Sequence, residues 1–196
     1  MKIAFDIDGV IANSESAIRS EFLDRTGHDI THLWKTFNFE VPGYNWVEVY
    51  DMIQDSILYR SDEITPHDDA ISALYSIYEH YNKKYPITFI TARPEFLQPV
   101  TKDWMKKYMG NIWHDIIYTS DKCKYLKEHN FEIFVEDRLK TANGLSKDMS
   151  AIFLVNRPWN EGRDHAWNVI RVNSVNEAVE RFIRGMDQDF FSRDMK

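Results

Sequence analysis

The chain of 196 residues is long enough for one compact domain, and 43% hydrophobic with 28% charged residues is ordinary for a globular protein. Its formal net charge of −7 argues against a long nucleic acid as partner, because a phosphate polymer binds positively charged surfaces. The single cysteine, Cys123, excludes an intrachain disulfide; with no signal-peptide pattern and no apolar run of about 18 residues, we expect a cytoplasmic protein without a membrane partner.

Six apolar segments of strand length are rich in Ile, Val and Phe and do not alternate with polar residues, as is typical of parallel strands covered on both faces. They are Lys2–Phe5, Ile87–Ile90, Ile116–Tyr118, Ile133–Val135, Ile152–Val155 and Val169–Val172. Helical spacing of apolar residues separates most of them, near 70–81, 94–108, 119–129 and 175–182. This alternation predicts an α/β fold with a Rossmann-like, doubly wound parallel sheet.

The stretch between the first strand and the helix near Ala70 is too long for a plain crossover and shows only helical patterns. The sequence therefore predicts an inserted helical cap over residues 14–63. The α/β core is expected over residues 1–13 and 64–186, with a polar tail over 187–196.

Three predicted strands end in abrupt polarity, and their carboxyl ends are where parallel α/β sheets bind ligands. The first runs into Asp6 and Asp8, the second into Thr91 and Arg93, and the third into the acidic pair Glu136-Asp137. Clustered carboxylates suit Mg²⁺, and two aspartates two residues apart share one face of an extended chain. One Asp can then attack phosphorus while the other transfers protons.

At these residues the sequence resembles the haloacid dehalogenase superfamily of phosphotransferases. The first family motif, Asp-x-Asp-x-Val/Thr, corresponds to Asp6-Ile7-Asp8-Gly9-Val10. The second, a Thr or Ser that closes a strand, corresponds to Thr91, and the acidic pair of the fourth corresponds to Glu136-Asp137. The resemblance covers most of the core, about residues 2–6 and 87–155.

The resemblance implies a role for each matched residue. Asp6 would be the nucleophile and a metal ligand, and Asp8 the general acid/base with its backbone carbonyl on the metal. Thr91 would bind the phosphoryl group, Asp137 would complete the Mg²⁺ site, and Glu136 would lie in the outer shell of that site. An Asp at the position of Asp8 favours a phosphatase over a dehalogenase or an ion-pumping ATPase.

The family's third motif is a lysine, for which the chain offers Lys122, Lys124 and Lys127. Lys122 is preferred because it follows the strand that ends at Tyr118, and Lys124 is the alternative. Arg93 has two interpretations: a phosphate ligand, or an ion-pair partner of a core acid such as Glu136.

The segments ITARP, SDK and FLVNRPWN most resemble the 5′-nucleotidase and deoxyribonucleotidase branch of the superfamily, which carries a helical cap between its first two motifs. The acidic pair of that branch is often Asp-Asp, whereas this chain has Glu136-Asp137. Aromatic residues of the predicted cap can stack on a nucleobase, and Trp34, Phe37 and Trp46 are the candidates.

The sequence thus predicts a Mg²⁺-dependent phosphomonoesterase whose substrate is a small phosphorylated molecule, a nucleoside or deoxynucleoside 5′-monophosphate. Two alternatives stay open. One is a phosphatase for another phosphorylated metabolite or for a polynucleotide end. The other is a catalytically idle nucleotide-binding module on the same fold.

Overall fold

The computed structural model describes residues 2–31, 40–80, 87–110, 112–162 and 164–187. Its strands are β1 (Ile3–Asp6), β2 (Ala12–Asn13), β3 (Thr65–Pro66), β4 (Ile87–Thr91), β5 (Trp113–Tyr118), β6 (Ile133–Glu136), β7 (Ala151–Val155) and β8 (Val169–Val172). Its helices are α1 (Glu15–Thr26), α2 (Trp46–Tyr59), α3 (Ala70–His80), α4 (Gln98–Met109), α5 (Lys122–Glu128), α6 (Leu139–Leu145) and α7 (Val175–Asp187). Among these described helices, none has the length and apolar character needed to cross a membrane.

Six of the strands form one parallel sheet in the order β5–β4–β1–β6–β7–β8. Phe5 in β1 is in register with Phe89 on one side and with Val135 on the other. The chain builds the sheet outward from β1 in one direction through β4 and β5, then in the other direction through β6 to β8. This reversal opens a crevice at the carboxyl end of β1, and the sheet confirms the predicted α/β fold.

Successive side chains of the strands point to opposite faces, and helices cover both faces. Phe5, Phe89 and Phe153 are fully buried on the face that packs against α3, α4 and α7. Ala4 and Phe134 are buried on the other face, against α5 and α6. Each buried phenyl ring contributes roughly 1.5–3 kcal/mol by removing its apolar surface from water. This double cover explains why the strands read as continuous apolar runs.

Three details of the fold differ from the sequence prediction or were absent from it. The helix α6 was not predicted, and neither was the short antiparallel ribbon of β2 and β3. The helix expected from Pro94 begins at Gln98, because a single 3₁₀ turn over Glu95–Leu97 precedes it. In the predicted tail, residues 188–196 lie outside the described part of the chain.

Helices α1 and α2 lie within the stretch predicted as a cap, and they pack against each other around a small apolar core. Ile18 and Phe22 of α1 contact Val49 and Met52 of α2 in this core. In the ribbon beneath them, Ala12 pairs with Pro66 and Asn13 with Thr65. The chain therefore leaves the sheet and returns to it at neighbouring points. That the pair acts as a cap stays a prediction.

A reciprocal pair of hydrogen bonds fixes the start of α2. The Asn45 side chain accepts hydrogen bonds from the backbone N–H groups of Val47, at 2.9 Å, and Glu48, at 3.2 Å. The Glu48 carboxylate accepts one from the backbone N–H of Asn45, at 2.8 Å. This capping box satisfies N–H groups that the first helical turn leaves without intrahelical partners.

We expect Asn45→Ala to lower the free energy of unfolding by about 1 kcal/mol, because the N-cap acceptor is lost. Urea denaturation followed by circular dichroism measures the change. Glu48→Gln is the control, since a glutamine side chain also accepts the Asn45 N–H and should preserve stability. Equal stability of Asn45→Ala and the wild type would contradict the role of the box.

Candidate functional site

Three carboxylates and one ammonium group meet at the carboxyl end of two neighbouring strands. Asp6 ends β1, Glu136 ends β6, and Asp137 follows it; one carboxyl oxygen of each lies within 4.8 Å of the other two. Lys122, the first residue of α5, places its Nζ 2.6 Å from Asp6 Oδ2 and 3.3 Å from Glu136 Oε2. All four side chains are buried, so these charges interact in a medium of low polarity.

The cluster contains three carboxyl groups but a single lysine, so its negative charges exceed its positive charge when the carboxyls are ionised. Burial would lower the pKa of Lys122, but the surrounding carboxylates outweigh burial and hold it above its usual value, so the lysine stays charged. Burial raises the pKa of Asp6, and Glu136 adds to the effect while Lys122 opposes it. Burial and the nearby Asp6 raise the pKa of Asp137 to about 6. With its carboxyls ionised the cluster has a net charge of −2, which one divalent cation would balance.

Hydrogen bonds occupy the carboxylate oxygens of the cluster unequally. Glu136 Oε1 accepts the backbone N–H groups of Asp137 and Arg138, at 3.0 and 3.1 Å, and its Oε2 faces Lys122. Asp137 Oδ2 accepts the indole N–H of Trp159 at 2.8 Å. Asp137 Oδ1 is buried and has no hydrogen-bond partner among the described residues. An unpaired carboxylate oxygen beside two further acids fits a hard cation such as Mg²⁺.

Asp8 takes part in a separate ion pair. Its two carboxylate oxygens accept hydrogen bonds from Arg93 Nε, at 2.8 Å, and Arg93 Nη2, at 2.7 Å. Arg93 is buried, and its Nη1 donates to the Thr101 hydroxyl at 3.0 Å. Burial alone would raise the pKa of Asp8, but the guanidinium outweighs it, so the pKa lies below its usual value. Arg93 is thus an ion-pair partner of an acid, as one of its two interpretations proposed, but the acid is Asp8, and the example given there, Glu136, pairs with Lys122 instead.

Thr91 ends β4, the strand that pairs with β1 on the other side from β6. Its hydroxyl is buried and accepts the backbone N–H of Arg93 at 3.1 Å. It does not line the cavity above the cluster. The structure therefore places Thr91 at the correct edge of the sheet, and its contact with a phosphoryl group stays a prediction.

The three candidate lysines occupy different environments. Lys122 alone among them reaches the acidic cluster. Lys124 is largely exposed, with its Nζ 4.0 Å from Glu128, and Lys127 pairs with Asp148 at 2.9 Å on the surface. The geometry thus favours Lys122 over the alternative for any contact with a bound phosphate.

A cavity of about 320 Å³ opens above the acidic cluster, a volume at the lower end of those that hold small ligands. Its floor is charged, and helix α2 supplies one wall, to which Trp46 contributes. The other two aromatic candidates, Trp34 and Phe37, lie in residues 32–39, outside the described part of the chain. The residues of the floor are Asp6, Asp8, Arg93, Lys122 and Asp137.

Side chains of the loop after β7 hydrogen-bond the residues around the acidic cluster. Sequence analysis did not assign them this role. Arg157 Nε donates to the Gly9 carbonyl at 2.7 Å, and Asn160 Nδ2 donates to the Asp137 carbonyl at 2.6 Å. Trp159 holds the Asp137 carboxylate, as described above. The sequence did contain a signal for this role: Arg157, Trp159 and Asn160 directly follow β7, the strand that pairs with β6.

Gly9 makes the close approach of these groups possible. Its backbone has φ +80°, a conformation that L side chains rarely adopt. A Cβ at this position would overlap the Asp137 carboxylate and come within 3.2 Å of the Trp159 ring. The absence of a side chain at Gly9, directly after Asp8, therefore leaves room for the Asp137 carboxylate.

Comparison with known proteins finds a relative that aligns over most of the chain. The Bacillus subtilis (strain 168) protein named "Putative nucleotidase YqfW" is 27% identical over 193 residues, which cover 92% of each chain. No protein-family model matches the chain.

Solved structures share the fold at low sequence identity. A phosphatase of the haloacid dehalogenase (HAD) superfamily from Thermococcus onnurineus has a TM-score of 0.58 at 15% identity, with 93% of this chain and 98% of that chain covered. The L-2-haloacid dehalogenase of Xanthobacter autotrophicus has a TM-score of 0.59 at 10% identity, with 94% and 98% covered. The chain therefore has the α/β fold of these proteins, with a cluster of buried acids at the carboxyl edge of its own sheet.

Proposed function

We propose that the protein is a Mg²⁺-dependent phosphomonoesterase that hydrolyses nucleoside 5′-monophosphates, in the ribo or deoxyribo form. The observation that carries the proposal is the composition of one cavity. Its floor is the buried cluster of Asp6, Asp137 and Lys122 beside Asp8, and its wall is a largely apolar helix with aromatic side chains. A charged floor suits a phosphate, and an apolar wall suits a planar base.

In the first chemical step, a carboxylate oxygen of Asp6 attacks phosphorus and the ester P–O bond breaks. Asp8 gives its proton to the departing nucleoside oxygen, which leaves an aspartyl-phosphate on Asp6. In the second step, Asp8 takes a proton from a water molecule that attacks phosphorus. Inorganic phosphate leaves and the Asp6 carboxylate is restored.

Cationic side chains would position the phosphate for this chemistry. Lys122 lies 2.6 Å from the attacking carboxylate, so its ammonium can also contact a phosphoryl oxygen. Thr91 would donate its hydroxyl to a second oxygen. A phosphate that draws Arg93 away from Asp8 would remove the main cause of the low Asp8 pKa, and Asp8 would then take up the proton it needs.

The carboxylates of Asp6 and Asp137 and the backbone carbonyl of Asp8 would hold Mg²⁺, with Glu136 in the outer shell. The Glu136 carboxylate already accepts two backbone N–H groups and faces the Lys122 ammonium, which supports a position for Glu136 in the outer shell. When bound, the cation neutralises charge on the phosphoryl oxygens. The protein's own contribution is to hold nucleophile, acid and phosphate in line.

The choice of a nucleotide has two supports. The relative from B. subtilis carries the name of a nucleotidase over nearly the full length of both chains. In addition, the helical pair of α1 and α2 presents Trp46 and Tyr50 to the cavity, and we propose that this pair forms the predicted cap. Closure of a cap over the substrate would exclude bulk water from the reaction.

We expect phosphate release from ribo- and deoxyribonucleoside 5′-monophosphates in the presence of Mg²⁺, and its loss with EDTA. Asp6→Asn should lower kcat by at least about 10³-fold, because an amide is a poor nucleophile. A colorimetric phosphate assay with ribose 5-phosphate, glucose 6-phosphate and a 3′-phosphorylated oligonucleotide alongside measures the preference.

If the protein hydrolyses the sugar phosphates or the oligonucleotide but no nucleoside monophosphate, the phosphatase mechanism still holds and the assignment of a nucleotide substrate is overturned. Absence of any turnover by the folded, Mg²⁺-loaded protein would favour the idle binding module. Unchanged activity of Asp6→Asn would overturn the assignment of the nucleophile.

We expect Trp159→Phe to raise the Mg²⁺ concentration for half-maximal activity by about tenfold, because Asp137 loses the N–H that orients it. Initial rates over a series of MgCl₂ concentrations measure this value. Trp167→Phe is the matched control, since Trp167 is exposed and does not line the cavity. Identical Mg²⁺ dependence of the two variants would show that Trp159 does not position the metal ligand.

A further inference from the structure

One face of α2 forms a continuous stripe along the cavity. The residues that line the cavity from this helix follow helical spacing, so their side chains lie on one side of it. Four of them are aromatic or aliphatic, and the fifth is the amide Gln54. The stripe consists of Trp46, Tyr50, Ile53, Gln54 and Ile57.

Gln54 is a polar group in an environment that does not satisfy it. The residue is only 7% exposed, and its Oε1 has no hydrogen-bond partner among the described residues. An unpaired buried acceptor costs free energy that an apolar side chain of the same shape would avoid. The side chain borders the cavity, so a ligand in the cavity can supply the missing partner.

Unpaired buried atoms concentrate in this cavity. Of the five buried side-chain N and O atoms without partners in the described part of the chain, three belong to residues that line it. Asp137 Oδ1 lies in the acidic cluster and fits the cation. The other two unpaired atoms are His67 Nε2 and Gln54 Oε1. Burial and the nearby Arg157 lower the pKa of His67 to about 4, so its imidazole is neutral near pH 7. The cavity thus offers two neutral polar groups in addition to the charged groups that line it.

We infer that Gln54 recognises the nucleobase: its amide would hydrogen-bond the polar edge of a base whose face lies against the apolar residues of the stripe. This inference rests on the proposed function and extends it to the group that distinguishes a nucleotide from a sugar phosphate. Ribose 5-phosphate has no planar face to cover Tyr50 and Ile53, and no base edge to reach Gln54.

The chemistry of an amide determines what Gln54 can select. It presents one acceptor and one donor side by side, and rotation by 180° exchanges them. The Watson–Crick edge of every common nucleobase also presents a donor beside an acceptor. Gln54 therefore selects for the presence of a base and does not discriminate between uracil, adenine and the others.

The test is Gln54→Met, which keeps an unbranched side chain of similar length and removes the amide. We expect kcat/KM for uridine and adenosine 5′-monophosphates to fall by about tenfold, through a rise in KM, as loss of one hydrogen bond predicts. Since ribose 5-phosphate has no base, its kcat/KM should not change, and the ratio of the nucleotide kcat/KM to the ribose 5-phosphate kcat/KM should fall by the same factor. The melting temperature should stay the same or rise, because an unpaired buried acceptor is removed.

Gln98→Met, the same substitution at the start of α4 and outside the cavity, is the matched control and should leave the substrate ratio at the wild-type value. An unchanged ratio in Gln54→Met, with the wild type active on nucleotides, would overturn the role of Gln54 and leave the proposed function intact. A lower melting temperature with equal losses on all substrates would show a structural role instead. Wild-type protein that hydrolyses only ribose 5-phosphate would overturn the proposed function and this inference together.

Discussion

The contact of the Lys122 ammonium with the carboxylates of Asp6 and Glu136 is the interaction on which the site depends. These charges lie where water has little access, and an isolated buried charge costs several kcal/mol. Burial raises the pKa of Asp6 and of Glu136, and the lysine is the cation that opposes this effect at both acids. The position of α5, which begins at Lys122, is therefore as important to the site as the two strands that carry the acids.

The topology of the sheet explains why this charge cluster forms beside β1. The chain reverses its direction of winding there, so the helices on the two sides diverge and leave a crevice. Gly9 and the loop of Arg157, Trp159 and Asn160 then close one side of the crevice around Asp137. Backbone geometry and hydrogen bonds thus set the orientation of a carboxylate that the charges alone would leave free to rotate.

The sequence predicted the parts of the molecule that depend on local pattern. Uninterrupted apolar runs identified all six strands of the parallel sheet, and polarity at strand ends pointed to Asp6, Asp8 and Asp137. It did not predict α6, which has only seven residues and few apolar positions. It could not assign Arg93 to Asp8 or Trp159 to Asp137, because those contacts depend on the distance between segments far apart in the chain. The burial of Gln54 beside the cavity was also missed, because a polar residue on an amphipathic helix usually faces solvent.

The ribbon of β2 and β3 has only two residues in each strand. The helical pair has a small core of its own, although Ala17 and Ile57 of the pair also pack into the main core. Mutations confined to this small core therefore disturb few contacts in the main core. Substitutions on the cavity side of α2 can then reshape the wall of the cavity while the acids at the end of the sheet keep their positions. The shape of the cavity can thus change in small steps that leave the buried charges in place.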